Sequence, residues 1–440
     1  MTPTVVKAAD AAQFLSFVPR MLGYHPTRSL VVIPFHGARS LGAMRFDLPD
    51  GDAESVDRVA ATVTGMACRL PEADAVAAIG YTDARFHDSG RMPHDQLFAA
   101  LQRRADACGL HVTDLLCVAA DAWGSYLDDD CPAEGRPLDE LAWNGPQGVP
   151  APAGDQGTGT ELPEPTDEER ASVEKAMIAF GDAVAVLCGP DAGGGPAGDG
   201  EPPERAARRA ARGGEMPERP DVPERAPAPS PMGSALVAGD LGPVPAPVSG
   251  VAEGAASESP DSRIDPQALA AVCRLDDLPG FFEDALARPL DGADVYDAAA
   301  LVWCLARPSL RDVALVQWSG NLAQGDEAFD AQLRWESGEE YPAHLAMRMW
   351  GEGDPPQVSR LETALALSRR TAALAPREAQ PGALAMCAWL SWALGRSTHA
   401  AAYAERACEI EPEHGLSQIV LSFVHAGHLP DWAFRRASAR

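Results

Sequence analysis

Positive charge is scarce in this chain: 36 Lys and Arg stand against 64 Asp and Glu, a formal net charge of −28 over 440 residues. Nucleic-acid affinity comes from neutralising phosphates with basic side chains, so this balance argues against a nucleic-acid partner unless a local basic patch supplies it. The visible basic cluster, Arg205 to Arg212 (RAARRAAR), lies among acidic residues in low-complexity sequence and reads as a solvated charge run. No stretch approaches the roughly 18 apolar residues that cross a bilayer. The opening MTPTVVKAADAAQFL has no basic start, apolar run or small-residue cleavage site, so neither a secretory leader nor a membrane partner is expected. The nine cysteines (68, 108, 117, 131, 188, 273, 304, 387, 408) never fall as CxxC. They are expected to be reduced and mostly buried, in a cytoplasmic protein. Phosphate-cradling GxxxxGK[ST] and a GxGxxG after a strand are also missing, the run Gly193–Gly195 lies in linker sequence, and no motif names a cofactor.

The length implies two to four domains. Residues 1–145 alternate helix and strand signals. Asp10 to Met21 places Phe14, Leu15, Val18 and Leu22 on one side and ends at Gly23, which suits a left-handed cap. SLVVIPF (29–35) is a β-branched run suited to a strand buried on both faces, and LGAMRFDL (41–48) returns as its hairpin partner. A helix over 52–70 carries Val56, Val59, Val63, Met66 and Leu70 as one stripe. The strand AVAAIGY (75–81), a helix from Pro93 bearing Leu97, Leu101, Ala105 and Cys108, and a strand over 112–119 follow. This order predicts an α/β domain with a mixed or mostly parallel sheet covered by helices.

Beyond Trp143 the composition changes. Residues 145–165 and 189–262 are rich in Gly and Pro, too poor in apolar surface to offset chain entropy, and expected to be disordered. Between them Thr166 and Glu169 form a T-x-x-E capping box for a helix to Leu187, whose stripe Val173, Met177, Phe180, Val184 is expected to pack on the N-terminal domain. The divisions are 1–145, an extension over 146–188, a linker over 189–262, a helical region over 263–350 and a second over 351–440. In the last, Ala388, Gly395, Ala400, Ala407 and Pro412 fall at the small-residue and proline positions of a tetratricopeptide unit, although Leu384 and Ser391 replace its usual Trp and Tyr.

Candidate chemistry gathers near strand ends. His25, in GYHPTRS, can act as acid, base or ligand, or it can simply close a turn that Pro26 fixes. Ser29 is a ligand-binding candidate only, because it lacks GxSxG surroundings. Asp83, with His87, Asp88 and His94, lies beyond the carboxyl end of a strand, where open α/β sheets bind ligands. Trp123 and Tyr126 can stack a ligand or close the core, and Asp128, Asp129 and Asp130 can form a cation site or a solvated turn. Cys131 has no neighbouring His that marks a nucleophile, and Cys108-x-x-His111 with Cys117 is better explained by helix packing than by metal, so no metal site is assigned.

LGYHPTRSLVV, WGSYLDDDCPAEGRPLDE and ALAMCAWLSWALG…AERACEIEPEH together resemble the actinobacterial domain-of-unknown-function family numbered 4192. Its members pair a Gly-aromatic-His-Pro-x-x-Ser-Leu-Val-Val segment with a Trp-x-Ser-Tyr segment near Cys-Pro, and end in small-residue-rich helices. Here Asp130 precedes Cys131 where many relatives carry a paired cysteine, and the Pro/Gly insert departs from compact members. The resemblance implies architecture and no activity. The leading expectation is a non-catalytic interaction or regulatory protein that binds a protein partner through its C-terminal helices, with a small-molecule ligand as an additional candidate. The competing one is an enzyme of hydrolase or transferase class, its site built from His25, Asp83, Trp123, Tyr126 and Asp130; nucleic-acid binding is third.

Overall fold

The computed structural model describes residues 8–49, 51–86, 92–146, 148–189, 264–288 and 294–435. The stretch 190–262, expected to be disordered, lies outside them, as do His87 and Asp88.

The N-terminal half is a mixed sheet between helices. Its strands are β1 (Ser29–His36), β2 (Arg39–Ser40), β3 (Met44–Asp47), β4 (Ala75–Tyr81), β5 (His111–Val118) and β6 (Trp123–Ser125). They order as β2-β1-β4-β5-β6, with β3 also on β1. The β4–β5 pair is parallel and the others are antiparallel. SLVVIP is buried throughout, as the β-branched run requires of a strand covered on both faces. One face carries Val31, Ile33, Ile79 and Leu116 under Leu15 and Val18 of α1 (Ala11–Leu22). The other carries Leu30, Val32, Ala78 and Leu115 beneath α2 (Ala53–Cys68) and α3 (Asp95–Ala107). Asp10 and Asp52 cap α1 and α2 by accepting from the backbone N–H groups of Gln13 and Ser55.

The second half is helical: α4 (Asp167–Cys188), α5 (Pro266–Cys273), α6 (Leu278–Ala287), α7 (Val295–Leu305), α8 (Pro308–Ser319), α9 (Leu322–Glu336), α10 (Ala343–Met349), α11 (Val358–Leu374), α12 (Gln380–Ala393), α13 (Ser397–Ile410) and α14 (Gly415–His425). Helix α12 is apolar on every side and is correspondingly buried from Pro381 to Ala393. Gly382 lets it approach α7 so closely that a Cβ there would stand 2.1 Å from the Leu305 carbonyl oxygen. Three indoles anchor its surroundings: Trp389 donates to Met349 O at 3.0 Å, Trp392 to His428 O at 2.7 Å, and Trp432 to Ala393 O at 3.0 Å.

The structure corrects three expectations. Helix α4 carries the predicted capping box, but Phe180, Ala183 and Val184 pack into the helical core beside α5 and α7 instead of on the sheet. An apolar stripe dictates that a partner exists, and here α5 and α7 supply it. Residues 148–165, despite their composition, are placed by backbone groups that find partners on both halves. Finally, only Cys117, Cys304 and Cys387 are buried; Cys108 lies one residue past the end of α3 and is exposed, as are Cys68, Cys188 and Cys273.

Candidate functional site

The register gathers one row of residues across an edge of the sheet. Asp47 pairs with Ser29, Ser29 with Tyr81, Tyr81 with Val118, Val118 with Trp123, and Trp123 bridges to Arg136. This row is the carboxyl end of the parallel β4–β5 pair, where such sheets place ligands. The turn 23–28 and the loop after Tyr81 both leave from it.

Ser29 is fully buried. Its hydroxyl donates to Thr27 O at 2.7 Å and accepts from Arg45 Nε at 2.7 Å, so it positions a cation. Arg45 also pairs with Asp47 at 2.6 Å and donates to Thr398 Oγ1 at 3.2 Å. Beside it, burial raises the Tyr24 phenol above its ordinary range, an effect the Arg45 charge partly offsets.

The turn itself is held by a strap. Gly23, at φ 85°, ends α1 in the left-handed region. Its carbonyl accepts from Ala153 N–H at 3.0 Å, and His25 N–H donates to Gly154 O at 2.9 Å. Gln156 clamps Thr27 from both ends of its amide, accepting from Thr27 N–H at 3.1 Å and donating to Thr27 O at 3.1 Å. The strap continues to the helices, where Arg406 donates to Thr160 O at 3.3 Å, Arg369 bonds Glu161 O, and Leu162 joins the helical core. Within it Pro26 is buried and His25 is exposed; among the described residues nothing hydrogen-bonds its imidazole.

The remaining candidates divide between the two faces. Trp123 is buried on the α1 face, its indole N–H without a partner among the described residues and the Arg136 guanidinium 5.3 Å from its ring centroid. Tyr81, on the same face, has a buried hydroxyl without a partner among the described residues, and burial holds its pKa well above the phenol range. Tyr126 faces the opposite side, stacked on Phe98 at 4.3 Å, its hydroxyl bonded to Pro93 O. Trp123 and Tyr126 therefore cannot sandwich one ligand. Asp130 is exposed in a turn where its N–H donates to Asp128 Oδ1 at 3.0 Å, while Asp128 pairs with Arg136 at 2.5 Å. Asp83 is exposed, and His94 meets Thr82 Oγ1 at 3.2 Å with its pKa lowered by burial.

Two cavities lie apart from these residues. One is an apolar void of about 20 Å³ between the sheet and helices α2 and α3. The other, of about 550 Å³, opens between Arg39–Leu41, Pro71–Glu72 and Phe434–Arg435. Among the described residues no group of three or more His, Cys, Asp and Glu is arranged to hold a metal ion. The edge row thus binds its own polar groups to one another and to the helical half. Arg45, Gln156 and Thr398 were not candidates from sequence: an Arg within a strand's alternation and a Gln in Gly/Pro-rich chain carry no periodic signal.

Residues 12–143 match the family model described as Domain of unknown function (DUF4192). The match covers the sheet domain and stops before the strap and the helical half. No curated protein and no solved structure matches the chain.

Proposed function

We propose that this chain is a non-catalytic interaction or regulatory protein whose helical half binds a protein partner. The observation that supports this most is where apolar surface is left open. Eight large apolar side chains are exposed among the described residues, and all but Leu127 lie in the helical half. One patch is on α9, where Leu322 (41 % exposed) and Leu333 (51 % exposed) fall on one stripe at helical spacing, with Phe329 between them half-buried against the core. Asp326, Glu327 and Asp330 are exposed on the same helix. A protein segment with apolar anchors flanked by Lys or Arg complements such a surface. The tetratricopeptide-like spacing of the last helices supports the same reading: Ala388, Ala400 and Ala407 are buried, and Gly395 turns the chain at φ 77°.

The free cysteines fit a reducing cytoplasm, and the segment resemblance points to an actinobacterial source. Purification of the chain from its host at endogenous level should recover a reproducible basic protein partner whose binding weakens as salt rises. No reproducible partner would count against the proposal.

The enzyme reading keeps one supporting observation: His25 and Asp83 are both exposed beside the same sheet edge. His25→Ala tests it in a thermal-shift metabolite screen. A ligand that stabilises the parent chain but not the variant supports that reading, and equal responses remove it.

A further inference from the structure

We propose that Cys68 and Cys108 form a surface dithiol that closes reversibly to a disulfide. Helices α2 and α3 feed the adjacent parallel strands β4 and β5, whose first residues, Ala75 and His111, are in register. Their carboxyl ends therefore emerge side by side. Cys68 is the last residue of α2 and Cys108 the cap of α3. The two helices pack against each other, and just before the cysteines Thr64, Ala67 and Ala105 line one apolar void between them. The Cys108 thiol is near enough to Cys68 to raise the Cys68 pKa, and both residues are exposed, so an oxidant reaches them.

With a hydroperoxide as oxidant, a thiolate of the pair attacks the peroxide oxygen and the O–O bond breaks, giving a sulfenic acid and an alcohol, or water from hydrogen peroxide. The second thiol attacks the sulfenic sulfur, the S–S bond forms, the S–O bond breaks and water leaves. The pair loses two electrons and two protons, and the peroxide is reduced. A thiol such as dithiothreitol reverses the bond by exchange. Burial and the neighbouring thiol raise the Cys68 pKa, so the first step quickens with rising pH.

The bond would close a loop containing β4 and α3, restricting the unfolded chain. It would also lie one residue from Arg69, which pairs with Asp431 at 2.5 Å and stacks over Phe434 at 4.1 Å, at the seam between the two halves.

The test is oxidation of the full chain with hydrogen peroxide, alkylation of the remaining thiols, and peptide mapping. The expected result is a mass loss of two hydrogens, a linked Cys68–Cys108 peptide, and a Tm higher by about 5 °C, all reversed by dithiothreitol and all lost in Cys68→Ser. Persistence of both thiols as alkylated peptides would overturn the proposal. So would a bond from either cysteine to another partner, or a two-hydrogen loss that survives Cys68→Ser. The map of the parent chain decides the matter even if the variant folds poorly.

Discussion

Arg45 donates to Thr398 Oγ1 at 3.2 Å, joining a strand of the sheet to a helix 353 positions later in the chain. The same guanidinium holds Ser29 and Asp47, so one side chain ties the start of β1 to the helical half. Arg45 is largely buried, which makes its loss costly: a buried hydroxyl at Ser29 would lose its donor. Arg45→Ala is expected to cost about 1–3 kcal/mol, read as a lower urea midpoint. Arg45→Lys should recover only part, because an ammonium cannot reproduce the three-way fork.

The strap makes a local prediction. Gln156→Ala removes the amide's hydrogen bonds to the backbone and hydroxyl of Thr27 and is expected to cost about 1 kcal/mol. Amide hydrogen exchange at His25 and Thr27 should rise, with protection in β4 and β5 unchanged. Unchanged exchange at His25 would show that the strap does not hold the turn.

Gly382 permits a backbone contact that no side chain fits. Gly382→Ala would drive a methyl into the Leu305 carbonyl, and is expected to destabilise the helical half by about 1–3 kcal/mol or more. Thermal unfolding of the variant checks it.

His414 makes the stability pH-dependent. Burial, reinforced by Arg311 3.4 Å from Nε2, lowers its pKa from 6.5 to about 3, and Nδ1 caps α14 by accepting from Ser417. The unfolded chain therefore binds the proton first. This contribution is fully present above about pH 6.5 and is lost as pH falls toward 3, with a slope of at most about 1.4 kcal/mol per pH unit. His414→Asn keeps a capping acceptor but not the titration, so its stability should fall less than the parent's between pH 6.5 and 5 in urea titrations.

Local rules made much of this fold legible. The run SLVVIPF specified a fully covered strand, and Thr166 with Glu169 marked the start of α4. Helices α9 and α10 were less legible. Most of the α9 core contact is made by Gly325, Ala328 and Ala331, which carry little periodic hydrophobic signal. Strand β6 has only three residues and reads as loop. The strap was invisible because its bonds run between backbone groups of Gly23, His25, Ala153 and Gly154, which any sequence possesses. For the candidate site, sequence located the edge, since His25, Ser29 and Asp83 do lie near it. Pattern alone could not tell that Ser29 positions Arg45, or that Trp123 and Tyr126 face opposite sides of the sheet.

Docking of a protein partner on the helical half is tested most directly by recovery of that partner with surface variants. Leu322→Asp/Leu333→Asp changes only exposed side chains on α9 and should lose the partner recovered by the parent chain while unfolding at a similar temperature. Leu127→Asp and His25→Ala should retain it. Retention by the α9 variant together with loss in His25→Ala would contradict the account and move the functional surface to the sheet edge.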